Sequence, residues 1–135
     1  MKKILFLMVS VTGMILTKAQ TIESGSRSTL GYIKSDGTIE NSSHSTVGYI
    51  RSDGTIEDRS RSTIGYIRND GTIENKNRST VGYVKEDGTV ENSNRSTLGY
   101  IKEDGTVENF SRSTIGYAHG IKKEWVAVVY FFFKL

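Results

Sequence analysis

Carboxylate pairs recur along this chain at a fixed interval. Asp36 and Glu40 are followed by Asp53 and Glu57, Asp70 and Glu74, Asp87 and Glu91, and Asp104 and Glu108. Paired carboxylates do acid–base work when their surroundings push their pKa values apart. Here every pair has much the same local context, so nothing separates one copy from the next. Each of these Asp residues precedes a glycine, where its usual service is to build a turn. His44 and His119 are the only histidines, and they leave little room for a Ser-His-Asp centre or a His-rich metal site. The absence of Cys excludes a thiol nucleophile, a Cys-ligated metal or cluster, and a disulfide scaffold. His44 fills a slot held elsewhere by Arg27, Arg61, Arg78, Arg95 and Arg112, four residues after a glutamate. It reads as a stand-in for Arg in a surface Arg–Glu ladder, a kind of pairing worth little per pair. His119 lies near Gly120 with no partner visible in the sequence. Calcium arrays need several acidic or carbonyl ligands per turn. One Asp per turn, joined by Glu86 and Glu103 in the last two turns only, falls short of that. Neither G-x-x-x-x-G-K nor G-x-G-x-x-G occurs. The expectation is a protein that is not an enzyme, with no catalytic residue, metal ligand or cofactor.

One series has the character of a binding feature. Tyr32, Tyr49, Tyr66, Tyr83, Tyr100 and Tyr117 follow one another at 17-residue steps, each after a glycine. Exposed rings beside Arg and Asn could stack on sugar rings and hydrogen-bond their hydroxyls, as weak sites that gain by multivalency. The preferred expectation is that each Tyr packs between adjacent hairpins with its hydroxyl at the surface. Stacking on single-stranded nucleic acid uses the same geometry, so the charge must decide that case.

The full chain carries 18 Lys and Arg against 15 Asp and Glu, a net +3 and a pI of about 9.1. Residues 1–19, however, read as a secretory signal peptide. Lys2 and Lys3 form its basic start, and Ile4 to Leu16 its apolar core, interrupted by Ser10, Thr12 and Gly13. Thr17-Lys18-Ala19 offers a small-residue cleavage site, with Ala19 and Gln20 flanking the cut. The apolar core is too short for a comfortable membrane span, and no transmembrane span is expected in the mature chain. Cleavage removes Lys2, Lys3 and Lys18 and leaves 15 basic and 15 acidic residues. A neutral mature chain argues against a nucleic-acid partner. Export to the periplasm or the extracellular space is the expected localisation.

The elements that must position these residues come from the repeat itself. The unit reads R-S-T-[LIV]-G-Y-[IV]-[KR]-x-D-G-T-[IV]-E-N-x-x, with His44 and Asp58 as exceptions. Each unit reads as a β-hairpin: Thr29 to Ile33 as first strand, Thr38 to Glu40 as second, and Asp36-Gly37 as the turn. A two-residue loop would pair Lys34 with Ile39. A longer loop with Gly37 in a bulge pairs Ile33 with Ile39, and is preferred because two aliphatic side chains then meet on one face. Gly31 shares that face, where a recurring glycine suggests a close backbone approach. At about 1.5–3 kcal/mol per buried aliphatic, a lone hairpin cannot offset its own ordering entropy. The units must therefore stack or close on each other. Thr21-Ile22-Glu23 is a second strand without a first, and Arg112 to Tyr117 a first strand without a second. Joining them would close the array and remove its edges, giving five full hairpins and one split one. Trp125 to Phe133 is apolar throughout, and is expected to be a strand buried on both faces, a plug for the repeats.

With this signal peptide, the unit G-Y-[IV]-x-x-D-G-T-[IV]-E-N, and the ending Gly-Tyr-Ala-His-Gly followed by Trp-Val-Ala-Val-Val-Tyr-Phe-Phe-Phe, the chain resembles the five-fold β-flower family of small secreted bacterial proteins. The resemblance covers essentially the whole mature chain. It implies short hairpins arranged radially about an axis and carries no activity or functional residues to transfer. This chain departs from five-fold symmetry in having six Gly-Tyr units, of which five have their own Asp-Gly turn. The expected fold is all-β: a signal peptide over 1–19, a closed radial hairpin array over 20–120, and an apolar C-terminal strand over 121–135. An open β-solenoid is the alternative. The expected function is a secreted, non-enzymatic structural or interaction module of the cell envelope, with a glycan or an envelope protein as partner class. The alternative is a multivalent, lectin-like carbohydrate binder using the repeated tyrosines.

Overall fold

Asp-Gly decides how each hairpin turns. In a computed structural model, which describes residues 19–134, Gly37 has φ 92° and its N–H donates to the Lys34 carbonyl at 2.9 Å. Asp36 Oδ1 accepts from the Thr38 N–H at 2.9 Å, so the carboxylate builds the turn. The same bonds recur at Asp53, Asp70, Asp87 and Asp104. Only glycine suits the next position, because the left-handed φ is joined by a clash: a Cβ there would run into the Ile50 carbonyl of the neighbouring hairpin. The segment expected as a signal peptide lies outside the described residues as far as residue 18.

Twelve strands follow in order. They are β1 (Ala19–Ser24), β2 (Thr29–Lys34), β3 (Thr38–Asn41), β4 (Thr46–Ile50), β5 (Thr55–Asp58), β6 (Thr63–Ile67), β7 (Thr72–Asn75), β8 (Thr80–Val84), β9 (Thr89–Asn92), β10 (Thr97–Ile101), β11 (Thr106–Asn109) and β12 (Thr114–Tyr117). Within the first hairpin Ile33 pairs with Ile39, Tyr32 with Glu40 and Gly31 with Asn41, the expected register. The links between hairpins are themselves tight turns. Asn41 Oδ1 accepts from the N–H groups of Ser43 and Ser45, at 2.9 and 3.0 Å, and the Asn41 N–H donates to the Ser45 carbonyl. Strands of adjacent hairpins are therefore ladder-paired as well, with a bulge at Val47 where Ile39 pairs with Gly48 and Glu40 with Thr46.

The array closes. β1 pairs with β2 on one side and with β12 on the other, Glu23 opposite Tyr117 and Ser24 opposite Gly116. The result is a closed antiparallel barrel of all twelve strands, built from five contiguous hairpins and one split between the chain ends. An open solenoid is not what forms. Inward-facing aliphatics from both strands of each hairpin, Ile33 and Ile39 in the first, make the core.

The tail corrects the expectation for 121–135. It is not a strand but a short helix, α1 (Lys123–Ala127), continued by a π-helical turn over Val128–Phe132. The reason is the closure itself. A closed barrel offers no sheet edge, so a segment in its lumen must satisfy its own backbone groups, which a helix does. The lumen needs that segment, because about eight strands already enclose the space that a barrel's own side chains can fill. Val126, Ala127 and Val128 are fully buried there. The Tyr130, Phe131, Phe132 and Phe133 rings reach Gly116, Gly99, Gly82 and Gly65 in turn, one hairpin per residue. The recurring glycine thus leaves room for a ring from the tail and for a cross-strand carbonyl: a Cβ on Gly99 would meet Glu108 O and come 2.7 Å from Phe131 Cζ. An α-helix advances about 100° per residue, and a six-part ring about 60° per part. The wider π winding, closed by Phe133 N–H to Val128 O at 2.9 Å, brings the two steps closer.

Candidate functional site

The pleat that turns Ile33 and Ile39 inward turns Tyr32 and Glu40 outward. Repeated round the barrel, this makes a belt of tyrosine–glutamate pairs. A third member joins each pair from the link turn. His44, Arg27, Arg61, Arg78, Arg95 and Arg112 all sit at positive φ, between 66° and 71°. An L-residue with a Cβ pays about 1–2 kcal/mol there, and glycine would be free of that strain. The side chains held there account for the choice. The guanidinium of Arg61 lies 3.7 Å over the centre of the Tyr49 ring, and those of Arg78, Arg95, Arg112 and Arg27 lie 3.6 Å over Tyr66, Tyr83, Tyr100 and Tyr117. His44 stacks on Tyr32 with centroids 4.2 Å apart.

The same six groups reach the glutamates four residues before them, at 3.0–3.4 Å. In the five contiguous hairpins a second cation closes on the other carboxylate oxygen. Arg51 and Arg68 approach Glu57 and Glu74 at 3.1 and 3.0 Å, while Lys34, Lys85 and Lys102 stand at 3.6–3.9 Å from theirs. Glu57, Glu74, Glu91 and Glu108 are buried beneath these cations. Hydrogen bonds from Arg68 hold the Glu74 carboxyl below the usual range, and the bond from His44 does so for Glu40. The turn aspartates are held low by the backbone N–H each accepts from. In the split hairpin the triad forms across the closure, Tyr117 from β12 with Glu23 and Arg27 from the chain start.

The sequence-predicted residues are thus brought together, though not as free binding faces. All six tyrosines are half-buried, with one ring face covered by a guanidinium or imidazole. The Arg–Glu ladder is present, and His44 does occupy an Arg slot in it. The contacts of Arg61, Arg78, Arg95 and Arg112 with the tyrosine 12 residues earlier were missed, although that fixed offset was visible in the repeat; Arg27 meets Tyr117 across the closure instead. His119, unpartnered in the sequence reading, has Nδ1 3.3 Å from the Asp104 carbonyl oxygen. No group of three or more potential metal ligands occurs among the described residues. An open cleft of about 400 Å³ lies on the belt between adjacent hairpins, lined by Asp53, Thr55, Tyr66, Arg68, Asp70 and Arg78 among others.

Arranged this way, the belt can accept and donate hydrogen bonds at many equivalent places. Its glutamates are engaged by cations and its aspartates by their turns. No curated protein and no solved structure matches the chain. A family model described as 5-fold beta-flower protein matches residues 19–134, nearly all of the sequence, and with its closed ring of short repeated hairpins the chain belongs to that family.

Proposed function

We propose that this β-flower protein is an exported, non-catalytic structural or interaction module of the cell envelope. The observation that carries this reading is the equivalence of the triads: six copies of one Tyr–Glu–Arg or Tyr–Glu–His arrangement, with no copy set apart for chemistry. The leader-like residues 1–19 support export. A thermal-shift screen of residues 20–135 against cell-wall fragments, polysaccharides, calcium and common metals tests it. A saturable shift with an envelope component supports the reading, and turnover of any of these substances overturns it.

The cleft beside Tyr66 favours a second reading, multivalent glycan binding on the belt. A sugar there would meet the outer face of the Arg78 guanidinium rather than the tyrosine ring, since the guanidinium covers that ring. Replacing Tyr49, Tyr66 and Tyr83 by Leu would remove the stacks. Loss of a glycan-induced shift, from a protein that still melts cooperatively, separates this reading from a purely structural belt.

A further inference from the structure

The barrel is nearly regular round its belt but not at the end where the Asp-Gly turns lie. The residue before each turn aspartate is Ser35, Ser52 and Asn69 in the first three hairpins and Glu86 and Glu103 in the next two. That end is therefore divided into a side without added acid and a side with it. The tail enters the lumen at this end, and it brings Trp125, the only tryptophan of the chain, to the side without glutamate. Trp125 is half-buried between two clefts. One, of about 410 Å³, lies between the turns at 51–54 and 67–69. The other, of about 190 Å³, is lined by Gln20, Ile33, Lys34 and Ser35 together with Ile121 and Lys122.

The larger cleft is lined by four cationic residues, Arg51, Arg68, Lys122 and Lys123, and by two acidic ones, Asp53 and Glu124. Asp53 Oδ1 is engaged by the Thr55 N–H, and Glu124 lies 4.0 Å from Lys123. Glu57 and Glu74 hold Arg51 and Arg68, but each is shared with a second arginine, Arg61 and Arg78. Lys122 Nζ stands 5.5 Å from the centre of the Trp125 ring. A cleft on the other side of the tail has the opposite balance, with Glu86, Asp87 and Glu103 against Lys102 and Lys123. Ile67, which opens onto the larger cleft, is only half-buried, whereas its counterparts Ile33, Ile50, Val84 and Ile101 are buried. A half-buried indole beside an excess of cations, in a cleft this size, suits a pyranose ring that carries an anionic group: the indole takes the ring's C–H face and the cations the charge.

We propose that the Trp125 cleft binds a carboxylated saccharide, a hexuronate-type unit with its carboxylate toward Arg51, Arg68 and Lys122. This site adjoins the belt, since Arg51 and Arg68 also pair with Glu57 and Glu74 and Arg68 lines the belt cleft as well; Trp125 and Lys122 are what set it apart, and the tyrosine stacks take no part in it. The single tryptophan makes the test direct, because its fluorescence, excited apart from the seven tyrosines, reports only the two clefts that flank it, and the variants at Ser52 and Asn69 tell the larger from the smaller. The probes are a galacturonate trimer, the neutral maltotriose, and a sulfated trisaccharide, each titrated into residues 20–135. The galacturonate trimer is expected to give a saturable change at least tenfold tighter than maltotriose. Ser52→Glu with Asn69→Glu copies the residue natural to the fourth and fifth hairpins, and is expected to weaken binding at least tenfold while the melt is retained. Lys122→Glu, at an exposed position, is expected to do the same and serves if the double variant fails to fold. Glu86→Ser with Glu103→Ser, on the far side, is expected to keep the affinity within about twofold. No saturable response, equal response to maltotriose, or undiminished binding by the folded Glu variants would overturn the site. A response to the sulfated probe alone would overturn the carboxylate assignment.

Discussion

Six non-glycine residues at positive φ, all at one place in the repeat, show a local cost accepted for a side-chain position. Arg78 illustrates the balance. Its backbone strain is about 1–2 kcal/mol, and its return is the stack on Tyr66 and one of the two ion pairs of the buried Glu74. Arg78→Ala keeps the strain and loses both contacts, so it is expected to destabilise by about 1–2 kcal/mol. Arg78→Gly loses the same contacts but is released from the strain, and is expected to be about 1 kcal/mol more stable than the alanine variant. Chemical denaturation of the two proteins decides it, and equal stabilities would remove the strain argument. The carboxylates add a pH dependence of definite sign. Glu40, Glu74 and the five turn aspartates are all held below their ordinary values in the folded protein. Depressed carboxyls contribute stability that is complete above the unfolded-state values, about pH 4, and that is lost as pH falls through the folded ones. The melting temperature is therefore expected to hold steady from neutral pH to about pH 5 and to drop below about pH 4. A melting temperature unchanged down to about pH 2.5 would mean that the belt and turn carboxylates do not stabilise the fold.

The hairpin was legible from the chain because two local signals agreed. Asp36-Gly37 demanded a positive φ, and the only register that put two aliphatics face to face was Ile33 with Ile39. The outward pairing of Tyr32 with Glu40 followed from the same choice. The tail was legible as a plug but not as a helix. A run such as Trp125 to Phe133, apolar all round, has no periodicity that separates strand from helix. What decides between them is the absence of any sheet edge in the lumen, a property of the assembled barrel. The stacking of Arg61 on Tyr49 escaped for a related reason, since it depends on a link turn that folds the arginine back over its own hairpin. If the tail is core, its loss should be felt by every hairpin at once. Deleting Trp125 to Leu135 removes the buried Val126, Ala127 and Val128 and the rings that fill the space before Gly65, Gly82, Gly99 and Gly116. The truncated chain is expected to lose its cooperative thermal transition and to bind a hydrophobic dye. A full cooperative melt after truncation would show that the twelve strands hold each other without a plug.

At the scale of the whole molecule the decisive act is closure, and the chain performs it with its two ends. β1 supplies the last ladder and Glu23, and the turn after it supplies Arg27, so that two members of the sixth triad reach a tyrosine nearly a hundred residues away. The six-part count was visible in the half-units Thr21-Ile22-Glu23 and Arg112 to Tyr117, while their partnership is a long-range pairing that repeat arithmetic alone leaves open. The backbone and side-chain parts of this closure can be separated. A protein without residues 19–24 presents the edges of β2 and β12 unpaired, and exposed edges recruit other edges. Glu23→Ala with Arg27→Ala keeps the ladder and removes only the outer contacts. In size-exclusion chromatography with light scattering, the deletion is expected to shift toward higher-mass species than the parent, and the double variant to keep the parent's mass with its stability lowered by about 1–2 kcal/mol. A deletion protein with the parent's mass and melt would mean that eleven strands close as well as twelve. Self-association of the double variant would place the closure in the Glu23–Arg27–Tyr117 triad rather than in the ladder.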